Sequence, residues 1–406
     1  MDIIMFGFND WDQWEARGFR TRCGALARAI GSDPAGHRLL VVSAPHSLAM
    51  NAVRAVRGRV GGTPDSRTTL RPFAVRTVSP SVTTLEHTRL LPREGSARAA
   101  YWGNATLHDR SLRRAVRDTC EGIGMRDWVL WVADPLMAKH IGELGESVSV
   151  FDAIDDWTAH PQKRSMKAEI ENGYAIVQDR ADVVFTVSQA LKERLGERRE
   201  GVHWQPNAVD AGRFDPAAPV PSDIAGLPRP LLGYVGVIQE RVDVDILTAL
   251  ARAMPEASIV LIGPVTAPQH VETLRSMANV HMLGERAAAD VPAYVNAFDV
   301  CLVPHVDDVL TRSMNPLKVY EYLAAGKPVV ASGLAQMDVP PELLARVDDP
   351  GAFVAAVRVF LDRGADDQRD RLARRTFARS RSWPARLEEM LTVVREAGLR
   401  KGVVLG

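Results

Sequence analysis

Three cysteines stand among 406 residues, at positions 23, 120 and 301. An odd number at such wide spacing excludes a disulfide framework and a cysteine metal site, and fits reduced, buried thiols. A surplus of one charge sign is also missing: 50 Lys and Arg balance 50 Asp and Glu. No apolar run approaches the roughly eighteen residues that a membrane-spanning helix needs. Nothing like a basic n-region with a cleavage site precedes the strand-like start IIMFGF, so a signal peptide is not expected. These absences leave an ordinary globular chain, expected in the cytoplasm and long enough for two domains.

Charge is balanced only in total. Residues 51–120 carry thirteen Arg against five Asp or Glu. That excess is either a solvated surface or a patch for anionic lipid headgroups or an acidic acceptor. A peripheral contact with the inner face of a membrane is therefore kept as an expectation. Nucleic acid is not expected, because no aromatic-basic pattern or DNA-binding motif accompanies the arginines.

Strand-like and helical runs alternate almost throughout, which predicts an α/β protein with parallel sheets. In the first half, strands are predicted near residues 3–8, 39–43, 73–78, 128–132, 148–153, 183–187 and 202–205. Helices are predicted near 17–30, 109–122, 163–180 and 189–195, with loops at 56–70 and 92–106. Residues 216–230 are proline-rich and read as a linker. The second half has a cleaner rhythm, with strands near 231–235, 259–262, 280–283, 300–303, 329–331 and 344–347. This is a doubly wound pattern, in which ligands bind beyond the carboxyl ends of the strands. The expected organisation is 1–215, a linker 216–230, a second Rossmann-like domain 231–381, and a terminal helix within 382–406.

The densest segment is 312–332, RSMNPLKVYEYLAAGKPVVAS. Asn315 reads as an N-cap, Pro316 as the first helical residue and Gly326 as the helix stop. Leu317, Val319, Tyr320, Leu323 and Ala324 fall on one inward face, and Lys318, Glu321 and Tyr322 on the other. Free N–H groups at a helix start suit a phosphate, and Lys318 adds a full charge one turn in. Glu321 is placed to accept hydrogen bonds from a vicinal diol such as a ribose. The bland alternative is an exposed Lys318–Glu321 pair worth roughly 0.2–0.5 kcal/mol.

Two further stretches accompany it: ADVVFTVSQALKERLGERREGVHWQPNAVDAGRF at 181–214 and LGERAAADVPAYVNAFDVCLVP at 283–304. In order and spacing the three segments resemble the GT-B glycosyltransferases. The resemblance is to family 4 and to relatives that make exopolysaccharide, teichuronic acid or decorated natural products. It covers most of residues 128–332. It implies two Rossmann-like domains facing a cleft, with a nucleotide diphosphate sugar held by the second and the acceptor by the first. By the same resemblance Glu321 holds the ribose, and Leu317, Lys318 and Asn315 lie at the diphosphate. No bound metal or other cofactor is implied.

The chain also departs from that pattern. Ser313 stands where many relatives carry a second glutamate, eight positions before Glu321. Val237 replaces an arginine after Gly236, leaving Arg241 as a rough substitute for a diphosphate-binding lysine. Gly284 lies in another loop at the carboxyl end of this sheet, and His305 ends a strand there as a candidate contact to the donor. In the first half, 148–157 reads VSVFDAIDDW, with Asp155 and Asp156 placed to act as a general base. Asp155 takes the place of a histidine found in many relatives. The alternative is that one aspartate caps a helix and the other is solvated. Gly7, Trp11, Trp14 and Arg20, with Arg22, form a candidate acceptor surface, although Trp and Arg serve equally as packing and surface residues.

Three functions stay open on these grounds. The first is a glycosyltransferase using a UDP-sugar by default and acting on a hydroxyl of a glycan, lipid-linked or natural-product acceptor. The second is an epimerase or pseudo-glycosyltransferase of the same fold. The third is a non-catalytic subunit that binds sugar nucleotides.

Overall fold

The computed structural model describes residues 1–7, 9–43, 46–47, 73–89, 109–214, 219–334, 337–363 and 368–406. Both predicted loops, 56–70 and 92–106, and much of the arginine-rich stretch lie outside the described residues, as does Phe8. The chain divides into two compact units. One comprises Met1–Thr186, Leu191–Gln205 and Leu387–Gly406, the other Val187–Ala190 and Pro206–Arg386. The main change of unit therefore comes before the proline-rich stretch, and a helix of four residues, Ser222–Ala225, forms within that stretch.

The first unit is built on a nine-stranded sheet. Its strands are β1 (Asp2–Phe6), β2 (Arg38–Val42), β3 (His46–Ser47), β4 (Phe73–Ser79), β5 (Val82–Arg89), β6 (Val129–Val132), β7 (Val148–Ala153), β8 (Val183–Thr186) and β9 (Val202–Trp204). They run in the order β3-β5-β2-β1-β6-β7-β8-β9, with β4 antiparallel on β5. The ladder is otherwise parallel. β1 and β7 are buried along their whole length, as strands of a sheet covered on both faces should be.

Two departures have local causes. The helix predicted over 17–30 begins only at Arg22 (Arg22–Gly31), and a separate helix, Trp11–Ala16, precedes it. Gly18 and Phe19 between them both have positive φ, which no right-handed helix accommodates. Asp10 caps the first helix through Gln13 N at 2.7 Å, and Thr21 caps the second. The strand β5 was not predicted because its sequence, VTTLEHTR, is polar. Its polar side chains are buried with partners: Glu86 meets Arg76 at 3.1 Å, and His87 stacks on Phe73.

The second unit holds a six-stranded parallel sheet. Its strands are β10 (Leu231–Val235), β11 (Ser258–Ile262), β12 (Val280–Gly284), β13 (Val300–Pro304), β14 (Val329–Ser332) and β15 (Ala345–Arg346). The order is β12-β11-β10-β13-β14-β15. Alternate residues feed two cores, one on each face. Leu231, Val235, Cys301 and Val303 point to the side of Val319, Tyr320 and Leu323. Leu232, Tyr234, Val300 and Leu302 point to the side of Ile246, Leu250 and Phe353. This is the doubly wound arrangement expected from the sequence. Its order reverses between β10 and β13, so the crevice for a ligand opens where those two strands end.

Candidate functional site

β10 leads into Gly236 and β13 into His305, the two sides of that switch point. The loop after β10 is laced to its neighbours through the main chain. Gly236 N donates to Ile262 O at 2.8 Å, Ile238 N to Pro264 O at 2.9 Å, and Val306 N to Arg241 O at 2.9 Å. Backbone approach is close enough to require glycine. A Cβ at Gly263 would stand 2.0 Å from Gly236 O, and one at Gly236 would stand 2.6 Å from Lys318 Nζ. Gly284 ends the next strand and accepts from Gly263 N at 2.9 Å. Gly236, Gly284, Arg241 and Lys318, scattered in sequence, thus belong to one end of one sheet.

The helix Leu317–Ala324 points its N-terminus at this end. It begins one residue later than expected. Pro316, not Asn315, is the N-cap residue, and no side chain caps the helix. Asn315 is buried and engaged elsewhere: its Oδ1 accepts from Asn207 N at 2.8 Å, and its carbonyl accepts from the Asn207 side chain at 2.5 Å. Gly326 ends the helix with positive φ, as predicted, and Lys327 N returns to Tyr322 O at 2.9 Å.

Tyr322 corrects the expected faces of the helix. It is fully buried, and its hydroxyl accepts from Val235 N at 2.8 Å. The helix is thereby pinned to the end of β10. Burial pushes the Tyr322 hydroxyl well above its usual range. Lys318 turns the same way, with Nζ 4.0 Å from the centroid of the Tyr234 ring. Burial raises Tyr234 to about 12, an effect that Arg241 opposes. Glu321 is half-buried, one turn along. Ser313 is buried at the end of the short helix Val309–Ser313, where its hydroxyl donates to Leu310 O at 2.7 Å. The hydroxyl is committed to that helix end.

His305 was singled out only by its place at a strand end. It is 1% exposed, and neither ring nitrogen has a hydrogen-bond partner. Its ring meets the edge of Tyr234 at 6.5 Å. Burial first, then Lys318 and Arg241, hold it well below the usual imidazole range. The Tyr234 ring, which links His305 to Lys318, was missed, although GYVG immediately before the loop was a signal for it.

The first unit disposes of its candidates differently. Trp11 and Trp14 are buried, at 7% and 2% exposure, which corrects their expected place on an acceptor surface. A Cβ at Gly7 would stand 2.5 Å from the Trp14 ring, and one at Gly24 would stand 3.0 Å from it. These glycines admit a core indole. Arg20 is half-buried, whereas Arg22 is fully enclosed and reaches both carboxylate oxygens of Asp152 at 3.0 and 2.9 Å. Sequence reading missed that pairing, 130 positions apart.

Asp155 and Asp156 also separate. Asp156 is buried, paired with Arg194, and accepts from Thr158 N and Oγ1 at 3.0 and 2.7 Å. That set of partners corrects its reading as a base and makes it an anchor of the turn. Asp155 is half-buried, and its carbonyl accepts from Tyr174 at 3.0 Å. Close by in sequence, His160 stacks on Trp157, and Lys163 lies 5.1 Å from the Trp157 ring. Burial lowers the Lys163 ammonium from its ordinary range. Among the described residues, no group of three or more His, Cys, Asp or Glu is placed to hold a metal ion, and no helix is long and apolar enough to cross a membrane.

Known proteins share this architecture. Over 98% of its length the chain superposes on sucrose-phosphate synthase from Thermosynechococcus elongatus, covering 100% of that chain with a TM-score of 0.69 at 17% identity. Anabaena Alr3699/HepE, solved in complex with UDP and glucose, matches over 97% of this chain and 99% of its own, with a TM-score of 0.60 at 16% identity. The fold is GT-B. Residues 229–363, within the second unit, match the family of glycosyl transferases group 1. A putative teichuronic acid biosynthesis glycosyltransferase, TuaH of Bacillus subtilis (strain 168), is 27% identical over 252 residues. That match spans 58% of this chain and 63% of the relative.

Proposed function

We propose that the protein transfers a sugar from a nucleotide diphosphate sugar, with a UDP-sugar as donor, to a hydroxyl of a glycan, lipid-linked or natural-product acceptor. The observation that carries this reading is the switch point of the second unit. There an uncapped helix start, close-packed glycine backbone, Lys318 and Arg241 converge, with Glu321 one turn further along the helix. Main-chain N–H groups and two cations suit a diphosphate, and a carboxylate one turn away suits a ribose. UDP and glucose in Alr3699/HepE support a uridine donor, and the teichuronic-acid relative supports a polymer or lipid-linked acceptor.

As the diphosphate leaves, negative charge develops, and donors fixed in advance stabilise it without rearranging. Of the two aspartates in the first unit, Asp155 is the candidate base, because Asp156 is already engaged by Arg194 and Thr158. The test is a thermal-shift and calorimetric panel of UDP, GDP and dTDP sugars on the wild type and on Glu321→Ala. One nucleotide sugar is expected to raise the melting temperature, with affinity lost in Glu321→Ala. Unchanged affinity in that variant would remove Glu321 from the site. Nucleotide release only when an acceptor is added would separate transfer from epimerisation and from simple binding.

A further inference from the structure

We infer that His305 is a third chargeable group of the anion site, beside Lys318 and Arg241, and that binding of the donor's diphosphate is coupled to proton uptake on its ring. This rests on the nucleotide-sugar reading above and adds a residue and a proton to it.

The main chain of His305 is fully used. Its N–H donates to Val303 O at 3.0 Å, and its carbonyl accepts from Ser332 Oγ at 2.9 Å. The ring is not. A neutral imidazole carries one N–H donor and one acceptor nitrogen, and here both nitrogens are buried without partners. Buried polar atoms in native folds nearly always have partners, so an exception calls for an explanation at the place where it occurs. This one occurs where β13 ends at the switch point, against the same tyrosine ring that carries Lys318.

The charges that act on the ring are both positive: Lys318 from the Leu317–Ala324 helix and Arg241 from the loop after β10. Tyr234, on β10, stays neutral and donates to Val237 O at 3.1 Å. Ser332, on β14, is neutral and meets only the carbonyl. Burial and two cations therefore favour the uncharged imidazole. A diphosphate at Lys318 and Arg241 reverses the field, and a proton on His305 then becomes favourable. The coupling is reciprocal: the factor by which the anion raises the ring's proton affinity is the factor by which the proton tightens anion binding.

The sign follows. Well above the bound-state titration the ring is neutral with or without ligand, and affinity is flat. As pH falls, the bound ring takes its proton before the free ring does, and affinity rises, by at most about tenfold per pH unit for one proton.

The experiment is titration calorimetry with UDP-glucose between about pH 5 and pH 8, in buffers of different ionisation heat. UDP-glucose is chosen because a free terminal phosphate would itself titrate near pH 6. GDP-mannose and dTDP-glucose are tried in turn if it does not bind. The wild type is expected to take up a fraction of a proton and to bind several-fold tighter near the acid end. His305→Gln should bind with no uptake and a flatter profile. Binding without uptake in the wild type, or the same uptake in His305→Gln, overturns the inference and leaves the nucleotide-sugar reading standing. If none of the three sugars binds at any pH, that reading falls and takes the inference with it. Should the variant not fold, the proton count on the wild type decides alone.

Discussion

Each unit of this protein has a switch point, and the two are furnished in opposite ways. In the second unit, the strand ends meet glycine backbone, two cations and an imidazole whose nitrogens have no partner. In the first unit, β1 ends at Gly7 under a buried indole, and β6 leads to Asp134, whose carboxylate accepts from Leu136 N at 2.9 Å. Arg22 there has found Asp152. The same topology thus offers the same crevice twice. In the described residues, the second unit's crevice is lined by glycine backbone, two cations and an unpartnered imidazole, whereas the first unit's is filled by packed side chains, the buried Trp14 Nε1 among them also without a partner. Topology says where a ligand can bind, and the groups lining the crevice say what kind it would suit.

The sharpest way to break this contrast is Trp14→Ala. A core indole costs about 3–5 kcal/mol when removed, so denaturant melts should show that loss while an acceptor KM stays put. A raised KM at unchanged stability would restore Trp14 to a binding surface. Next comes the aspartate pair. Asp155→Asn is expected to lower turnover by roughly a hundredfold with donor affinity unchanged. Asp156→Asn should lower the melting temperature, because it weakens the tie to Arg194. The reverse pattern in steady-state kinetics and melts would exchange their roles.

Gly236→Ala probes the open site. The added methyl meets Lys318 Nζ and Tyr234, and a loss of roughly tenfold, about 1.4 kcal/mol, in nucleotide affinity is expected by calorimetry.

The smallest effect concerns His140, a buried histidine of the first unit. Its ring stacks on Phe6 and has Arg113 Nε at 3.3 Å. Burial, then Lys139 and Arg113, lower it to about 3. The unfolded chain takes this proton near pH 6.5 and the fold only near the lowered value. Stability is therefore complete above about pH 6.5 and falls below it, by at most about 1.4 kcal/mol per unit. His140→Gln should lose less stability across that window. It should leave the pH profile of nucleotide-sugar binding untouched, unlike His305→Gln.

What could be read from the sequence was whatever is local. Short apolar runs such as those of β10, β11 and β13 are buried on both faces, and their apolar continuity announces parallel strands. Lys318 and Glu321 were legible because a helix fixes residues three apart without help from the rest of the fold. Tyr322 was misplaced because its hydroxyl is satisfied by Val235 N, a partner 87 positions away. β5 escaped because its buried face is polar and paired. Arg241, His305 and Lys318 could be placed at one end of the sheet from its doubly wound pattern, but Tyr234, the ring between Lys318 and His305, escaped because a strand residue's contacts depend on the packing of other segments.

One consequence concerns anyone who wants a hardier version of this protein. The helix that starts at Leu317 has a proline where a capping side chain would sit, and nothing caps it. A routine stabilising campaign would install Ser or Asp at Pro316 and raise the melting temperature. The new oxygen would occupy the amides that the proposed donor's phosphates would need. This uncapped helix end is one that should be left unimproved.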